Sequence, residues 1–489
     1  MEYQIKRAMS VRKIITGLMI ASFLVSLVYS YFSASSVSHA ASSVSHTAHR
    51  ISLSAGLNGQ TSGMQEHDHM TSGRKGEENM KNKTSKVLPL LSCDLNDYRS
   101  DVCEIYSNVR IHGNSSSIFY SSDKTMNLKE NRTWTIKPYT RKYDSYVIEN
   151  VRAVTIKPLY ASAEAPKCNL YHNITAVVFS KGIYAGKNFF HDFSDVLVPL
   201  FITARQFEGE VQILMADFQP IWIEKHKKFF NQISNYEIID FNQENQVHCY
   251  PRAIVGLYSH NDFTVDPSRT PNNYSMLDFA RLMRRTYSLE REFAANLVEG
   301  SKKKPRLLII ARNRTRKLLN IGEVIAVGEE LGFEVAVNES SLHTNVEDFA
   351  RMVNSFDVML AVHGAGLTNE VFLPTNAVVI QIVPLGNLHW ISYNFYGIAP
   401  TKMMLKYLQY CISEEESTLI YLYPRDHAVF TDPDSIHKQG WAALDKIYLS
   451  QQSVKVNITR FKPILARALE LLGDRNFNVA SQELLFCPN

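Results

Sequence analysis

Cysteine is sparse and carries no metal-binding spacing. The six residues stand at 93, 103, 168, 249, 411 and 487, with no Cys-x-x-Cys pair, which excludes the usual zinc-site patterns. An even number suits three disulfides in an oxidising lumen. Positions 93 and 103 are close enough to suggest a local bridge, and the remaining connectivity stays open. Charge of one sign is missing as well. Net charge is +4, but residues 1–13 hold Lys6, Arg7, Arg12 and Lys13 against Glu2, a local +3 that leaves only +1 elsewhere. Nothing in that balance suits a nucleic acid. No Gly-x-Ser-x-Gly nucleophile elbow occurs, so the esterase reading of a His-Gly-x-Gly loop is excluded. There is no internal repeat, and one Asp-x-Asp string, Asp432-Pro433-Asp434. The 489 residues, 45% hydrophobic and 20% charged, are ordinary globular material with room for two or three domains.

The chain is organised around the stretch from Phe356 to Leu373. A short apolar run, Val358 to Val362, reads as a buried parallel strand. It breaks into His363-Gly364-Ala365-Gly366, resumes with helical spacing from Leu367 to Leu373, and meets Pro374 as a stop. Strand, glycine turn and helix start point backbone N–H groups at an anion, with the helix dipole adding to the attraction. Position 369 is Asn, so the three-glycine dinucleotide fingerprint fails. A nucleotide diphosphate is the ligand to expect.

The first 92 residues set the compartment. Ile14 to Phe32 carries no charge over 19 residues, close to the ~20 that a membrane helix needs. Four basic residues precede it and Tyr29, Tyr31 and Phe32 close it. The expectation is a single transmembrane signal anchor at 14–32 with a cytosolic tail at 1–13, cleavage after Ala34 being the alternative. Residues 33–92 are too polar to bury a core and read as a flexible, disordered stem. Sequons at Asn82, Asn114, Asn131, Asn173, Asn273, Asn338 and Asn457 suit a secretory route. An eighth, Asn313, is expected to be bare, since a glycan there would block the anion site described next.

The body starts at Cys93. Short β-type runs occupy 105–160, including Thr133 to Ile136 and Ala153 to Ile156. Ala176 to Phe179 and Val211 to Met215 read as strands, and Phe189 to Thr203 and Trp222 to Gln232 as helices. A further helix is expected from Ser275 to about Leu297. From residue 306 the pattern alternates: strands at 306–311, 333–337, 358–362 and 378–383, helices at 321–331 and 346–355. That interval implies βαβ units and a parallel sheet, whose ligands bind at the C-terminal strand ends. Two such ends carry polar residues, Arg312 after one strand and His363 after another. The tail from Phe461 to Gly473 is apolar at helical spacing and is expected to pack back.

Arg312-Asn313-Arg314-Thr315-Arg316-Lys317 puts four cations directly after a strand, and guanidinium forks match phosphate oxygens. His191 and Asp195, four apart on one helix, form an acid/base pair: the Asp can orient the ring, or accept the proton itself. Asp432 and Asp434 could hold a divalent cation, but Pro433 and the residues after it suggest a turn with Asp as helix cap.

Three pieces stand in an order that resembles glycosyltransferase family 61. They are Phe189-Phe190-His191-Asp192-Phe193-Ser194-Asp195, the Arg312–Asn320 segment ending Leu-Leu-Asn, and His363-Gly364-Ala365-Gly366-Leu367 with Phe372-Leu373-Pro374. The resemblance covers roughly 93–475. Cys93-Asp94-Leu95, Ser100-Asp101-Val102-Cys103-Glu104, Asp426-His427 and Asp432-Pro433 look like its plant branch of xylan arabinosyl- and xylosyltransferases. The resemblance implies an α/β, GT-B-like fold of two Rossmann-like domains facing a cleft, an acceptor side at 93–300 and a nucleotide-sugar side at 301–460, with 461–489 packing back. It implies an inverting Golgi enzyme, with its catalytic body in the lumen, that moves arabinofuranose or xylose from a UDP-sugar to xylan. No metal cofactor is implied. His191 or Asp195 would be the base. Arg312, Arg316, Lys317, His363 and the turn Gly364, Ala365, Gly366 and Leu367 would hold the nucleotide. Xylose transfer to an N-glycan core, or a non-catalytic homologue, are the alternatives.

Overall fold

In the computed structural model, residues 90–121, 132–159, 166–295, 304–339, 345–474 and Cys487 are described, all within one compact unit, Thr84–Asn489. The anchor expected at 14–32, nearly all of the stem, and the sequons Asn82 and Asn131 lie outside those residues. Among the described residues no helix is long and apolar enough to cross a membrane, so the single transmembrane helix of the expected architecture has no counterpart among them.

The second half follows its pattern closely. Glu334–Glu339, Arg306–Ala311, Val358–Val362, Val378–Val383 and Lys406–Cys411 lie side by side in that order, every pair parallel. The central strands are near-continuous apolar runs because both faces are covered. Leu307, Ile309, Leu360 and Ile380 pack with the helices Ile321–Glu330 and Ile458–Gly473 on one face. Leu308, Ile310, Met359 and Val379 face the opposite core with Phe349 and Val353 of the helix Val346–Asn354. Arg306–Ala311, the earliest of these strands in the chain, sits inside the sheet, between Glu334–Glu339 and Val358–Val362. This reversal of strand order leaves a crevice beyond the C-terminal ends of Arg306–Ala311 and Val358–Val362. Arg312 and His363 are the next residues of those two strands.

The first half departs from expectation. It carries two six-stranded sheets, both mixed. One has a parallel core of Arg252–Val255, Thr175–Ser180, Val211–Ala216 and Ile239–Asp240, extended by the antiparallel strands Val102–Ile105 and Leu91–Asp94. The other joins the two strands of the 109–121 hairpin, Trp134–Ile136, Val154–Leu159, Val247–Tyr250 and Leu170–Tyr171. Two Rossmann-like domains facing a cleft are thus overturned: among the described residues one sheet is all-parallel, not two. One hydrophobic cluster, moreover, runs unbroken from Phe193 and Phe201 to Phe372 and Ala399. The antiparallel strands arise where the chain doubles back over the Cys93–Cys103 disulfide; Cys168–Cys249 and Cys411–Cys487 also form.

Two smaller differences have local causes. The helix expected from Ser275 starts there, with Ser275 and Asp278 forming a reciprocal capping box. It ends at Thr286, because Ser288 adopts a left-handed φ of 52° that no helix continues. The run after Gly364 is helical, but as the tighter 3₁₀ form over Ala365–Phe372.

Candidate functional site

His191 and Asp195 share one helical run that follows the parallel strand Thr175–Ser180. Asn188 caps it, accepting from the Phe190 amide at 3.0 Å. The run widens into a π-helix over Asp192–Leu197 before Val198–Ala204 resumes as α, a local geometry that recurs at functional sites. Across it His191 Nδ1 meets Asp195 Oδ2 at 2.7 Å. Asp195 is fully buried. It accepts from Arg141 Nε at 2.9 and 3.0 Å and from the Tyr139 hydroxyl at 2.8 Å, with Arg99 at 3.9 Å. Burial alone would raise its pKa, but Arg141, His191 and Arg99 outweigh that and hold the carboxyl far below the usual range. A carboxylate so occupied can only accept. Nδ1 of His191 therefore carries the proton, and in the neutral ring Nε2 keeps its lone pair. His191 is partly open, with 16% of its side chain exposed against none for Asp195, so the imidazole is the group that a substrate can reach.

Gly182 shows how tightly this corner is built: at φ +67°, a Cβ there would lie 2.5 Å from the Tyr139 ring. The neighbouring Asp192 is consumed by structure. It accepts from Trp222 Nε1 at 2.9 Å and the Gly186 amide at 2.6 Å, and lies 3.1 Å from His226 Nε2.

The second cluster occupies the crevice of the parallel sheet. Arg312 folds back so that its Nε donates to the Thr315 carbonyl at 2.9 Å, while Arg316 Nη1 donates to the His363 carbonyl at 3.1 Å. The Arg316 backbone is left-handed at φ 52°. It is held there because its amide donates to Gln452 and the loop pairs onward with Val454. Such positions cost of order 1–2 kcal/mol for a non-glycine residue. Among the described residues no carboxylate lies within ion-pair reach of either guanidinium, and the buried Nε of Arg316 has no hydrogen-bond partner. Burial, then Arg312, pushes Arg316 down to about 9. Two half-buried cations with no carboxylate in contact, Asp445 acting on Arg316 only from farther off, suit an anion.

Gly364 is required by the arginines themselves. At φ +145°, a Cβ would stand 2.3 Å from Arg312 Nη1 and 3.4 Å from Arg316 Nη1. His363 is buried and is kept neutral by burial and by the two arginines. The Gln381 amide oxygen takes the Tyr407 hydroxyl at 2.6 Å, so its Nε2 faces His363 Nδ1 at 2.7 Å. Proton and lone pair are thereby assigned: Nδ1 accepts, and Nε2 bears the hydrogen.

Aromatic contacts bring the clusters together. Phe190, beside His191, stacks on Phe395 at 5.0 Å and meets Tyr396 edge-on at 5.3 Å. Tyr396 in turn packs against His363 at 5.5 Å.

Lys317 does not join the pair: its side chain is exposed, and its carbonyl accepts from Val454. Ala365 and Gly366 form the start of the 3₁₀ turn, and the buried Leu367 donates its amide to Gly364. Asp432 caps the helix Pro433–His437 through the Ser435 amide, while Asp434 accepts from Asn387. Among the described residues no group of three or more His, Cys, Asp or Glu could hold a metal ion. Asn114, Asn173, Asn273, Asn313, Asn338 and Asn457 are exposed. Arg141, Tyr139 and Arg99 escape sequence reasoning because they lie about 50 or more positions from Asp195. Glu370 escapes it too. It is fully buried, with no partner for either oxygen among the described residues, and burial pushes its pKa well up.

Comparison with known proteins puts the chain among the glycosyltransferases. It belongs to the Glycosyltransferase 61 family, whose model matches residues 129–380. It is 49% identical over 381 residues to Alpha-1,3-arabinosyltransferase XAT2 of Oryza sativa subsp. japonica, covering 78% of this chain and 64% of that relative. To Beta-1,2-xylosyltransferase XYXT1 of the same organism it is 46% identical over 398 residues, covering 78% of this chain and 85% of the relative. Among solved structures, the bacterial iron-containing dodecameric glycosyltransferase TibC from enterotoxigenic E. coli aligns with a TM-score of 0.24 and 11% identity over 60% of this chain and 78% of that one, a likeness too slight to bear on the fold.

Proposed function

We propose that this protein moves a pentose, arabinofuranose or xylose, from a UDP-sugar to a xylan-type polysaccharide with inversion at the anomeric carbon. The choice of sugar is supported by the rice relatives, whose names specify arabinosyl and xylosyl transfer, and that of acceptor by the name of an Arabidopsis thaliana relative, Xylan glycosyltransferase MUCI21, 34% identical over 409 residues. The chemistry rests on one observation: the pair Arg312 and Arg316, with no carboxylate in contact among the described residues, beside a glycine turn at the sheet's crevice. There the diphosphate would take guanidinium forks. The acceptor hydroxyl would give its proton to His191 Nε2 as its oxygen bonds the anomeric carbon. The bond to the β-phosphate oxygen breaks, and its electron pair leaves with UDP. Asp195 orients the ring and stabilises the imidazolium. The arginines supply countercharge for the departing UDP, so transfer is expected without an added divalent cation. The three disulfides suit an oxidising compartment, in this reading the Golgi lumen.

The test incubates the protein with xylohexaose and either UDP-xylose or UDP-arabinofuranose in EDTA, following mass gain. One added pentose with one donor is the expected result. Transfer restored only by Mn²⁺ would overturn the metal-free reading. No transfer with either donor under any condition, while UDP still binds, would overturn the reaction itself.

A further inference from the structure

We infer that Tyr98, stacked on Tyr143, is the floor of an acceptor subsite for a chain of β-linked pyranose rings, leading to His191. The inference rests on the proposed transfer to xylan and adds where the polysaccharide lies. Tyr98 is 69% exposed and Tyr143 38%, yet their rings are parallel within 3° at 4.7 Å. Tyr143 covers one face of Tyr98, and with the residue 69% exposed the rest of the ring is open to a ligand.

The pair is held in place before any ligand arrives. The Cys93–Cys103 disulfide closes the segment that carries Tyr98. Asp97 accepts from the Arg99 amide at 2.7 Å, and the Lys142 amide donates to the Arg99 carbonyl at 2.9 Å, tying the two tyrosine-bearing segments together. The Tyr143 hydroxyl receives Arg141 Nη1 at 2.7 Å and Arg99 Nη1 at 3.2 Å.

Two routes connect this platform to the imidazole. Tyr143 touches Arg141, Arg141 grips Asp195, and Asp195 holds His191 Nδ1. Separately, the Tyr184 ring packs 4.6 Å from His191, and its hydroxyl donates to Asp144, the residue after Tyr143, at 3.3 Å. Asp97 and Ser100, which flank Tyr98 and Arg99, line a polar pocket with His260 and Arg269. An aromatic face beside a polar wall fits a sugar ring, whose C–H face is apolar and whose rim is hydroxylated. Xylose, with no exocyclic hydroxymethyl group, offers the flattest such face. A rigid tyrosine gives contact area at little cost in conformational entropy.

The test uses the full chain, with xylohexaose binding read by titration calorimetry and no donor present. Wild type should bind xylohexaose. Tyr98→Ala should bind about tenfold more weakly, the scale of one stacking contact, and Tyr98→Phe should restore it. UDP affinity and melting temperature should be unchanged in both variants. Xylohexaose binding in Tyr98→Ala equal to wild type would overturn the inference, as would wild type binding no xylohexaose. Binding that depends on Tyr98 in a protein that transfers nothing would sustain the subsite and overturn the reaction instead.

Discussion

Replacing Arg316 by glutamine should move stability and nucleotide binding in opposite directions. In the unliganded protein this guanidinium is enclosed, and burial and then Arg312 lower it from the ordinary 12.5 to about 9. At about 1.4 kcal/mol per pKa unit, that drop sets a ceiling of roughly 5 kcal/mol on the cost of keeping the charge there. Solvent at the partly open edge of the site removes much of it. Glutamine can still donate to the His363 carbonyl but gives up a charge-assisted bond worth about 1.5–3 kcal/mol. The net expectation is an unliganded variant more stable by about 1–2 kcal/mol. The sign against pH follows from linkage. A depressed value near 9 leaves Arg316 charged in both folded and unfolded chains from pH 6 to 8, so the gain should be flat across that window. UDP affinity should fall by about 10–100-fold, because the diphosphate loses one of two guanidinium forks. Thermal melts at pH 6, 7 and 8 with and without UDP, together with UDP titration, measure both effects. A variant less stable than wild type that binds UDP equally well would refute the reasoning.

Asp195→Asn should strip His191 of its anionic partner and leave Arg141 with one of its two carboxylates, Asp262 at 2.8 Å. We expect transfer to fall by at least about 100-fold and stability by about 1.5–3 kcal/mol, read by kinetics and denaturant unfolding, with His191→Ala losing the activity but little of the stability. Gly364→Ala should drive the Arg312 guanidinium from its seat, since the added carbon would meet Nη1 at 2.3 Å; UDP affinity should drop by about tenfold or more, and unchanged titration would contradict the packing argument. Glu370→Met should raise the melting temperature by replacing an unpartnered buried carboxyl. Because burial raises the folded pKa, its penalty is absent below the unfolded value of 4.5 and grows as pH rises above it. The gain from Met should therefore be larger at pH 8 than at pH 5, and equal gains would remove the premise.

The parallel sheet was legible because its strands are apolar on both faces and its helices alternate with them; Arg306–Ala311, Val358–Val362 and Val378–Val383 fall on the residues expected. In the first half the strands Thr175–Ser180 and Val211–Ala216 also lie where expected, but the pairing was not legible, because short strands such as Val102–Ile105 and Val109–His112 carry no mark of which neighbour they pair with. The spacing of His191 and Asp195 placed them on one face, but sequence left open which is the base. That choice depends on Arg141 and Tyr139, brought in from 54 and 56 residues away. Two glycines suggested a close approach of phosphate; the structure adds that Gly364 makes room for Arg312. The loop carrying Arg316 is shaped by residues 452–456, over a hundred positions downstream, which no local pattern announces.

The unbroken cluster from Phe193 to Phe372 limits how such enzymes can be rebuilt. Phe190 is shared between the helix that carries His191 and the aromatic wall behind His363. Cutting the chain near residue 304 would bare that whole interface on both fragments, and neither would be expected to stay soluble alone. A chimera that takes one half from each of two relatives would have to match aromatic shapes along the seam before any change in sugar preference could be read. New specificities are better sought at exposed tyrosines such as Tyr98 and Tyr146, which can change without disturbing the seam.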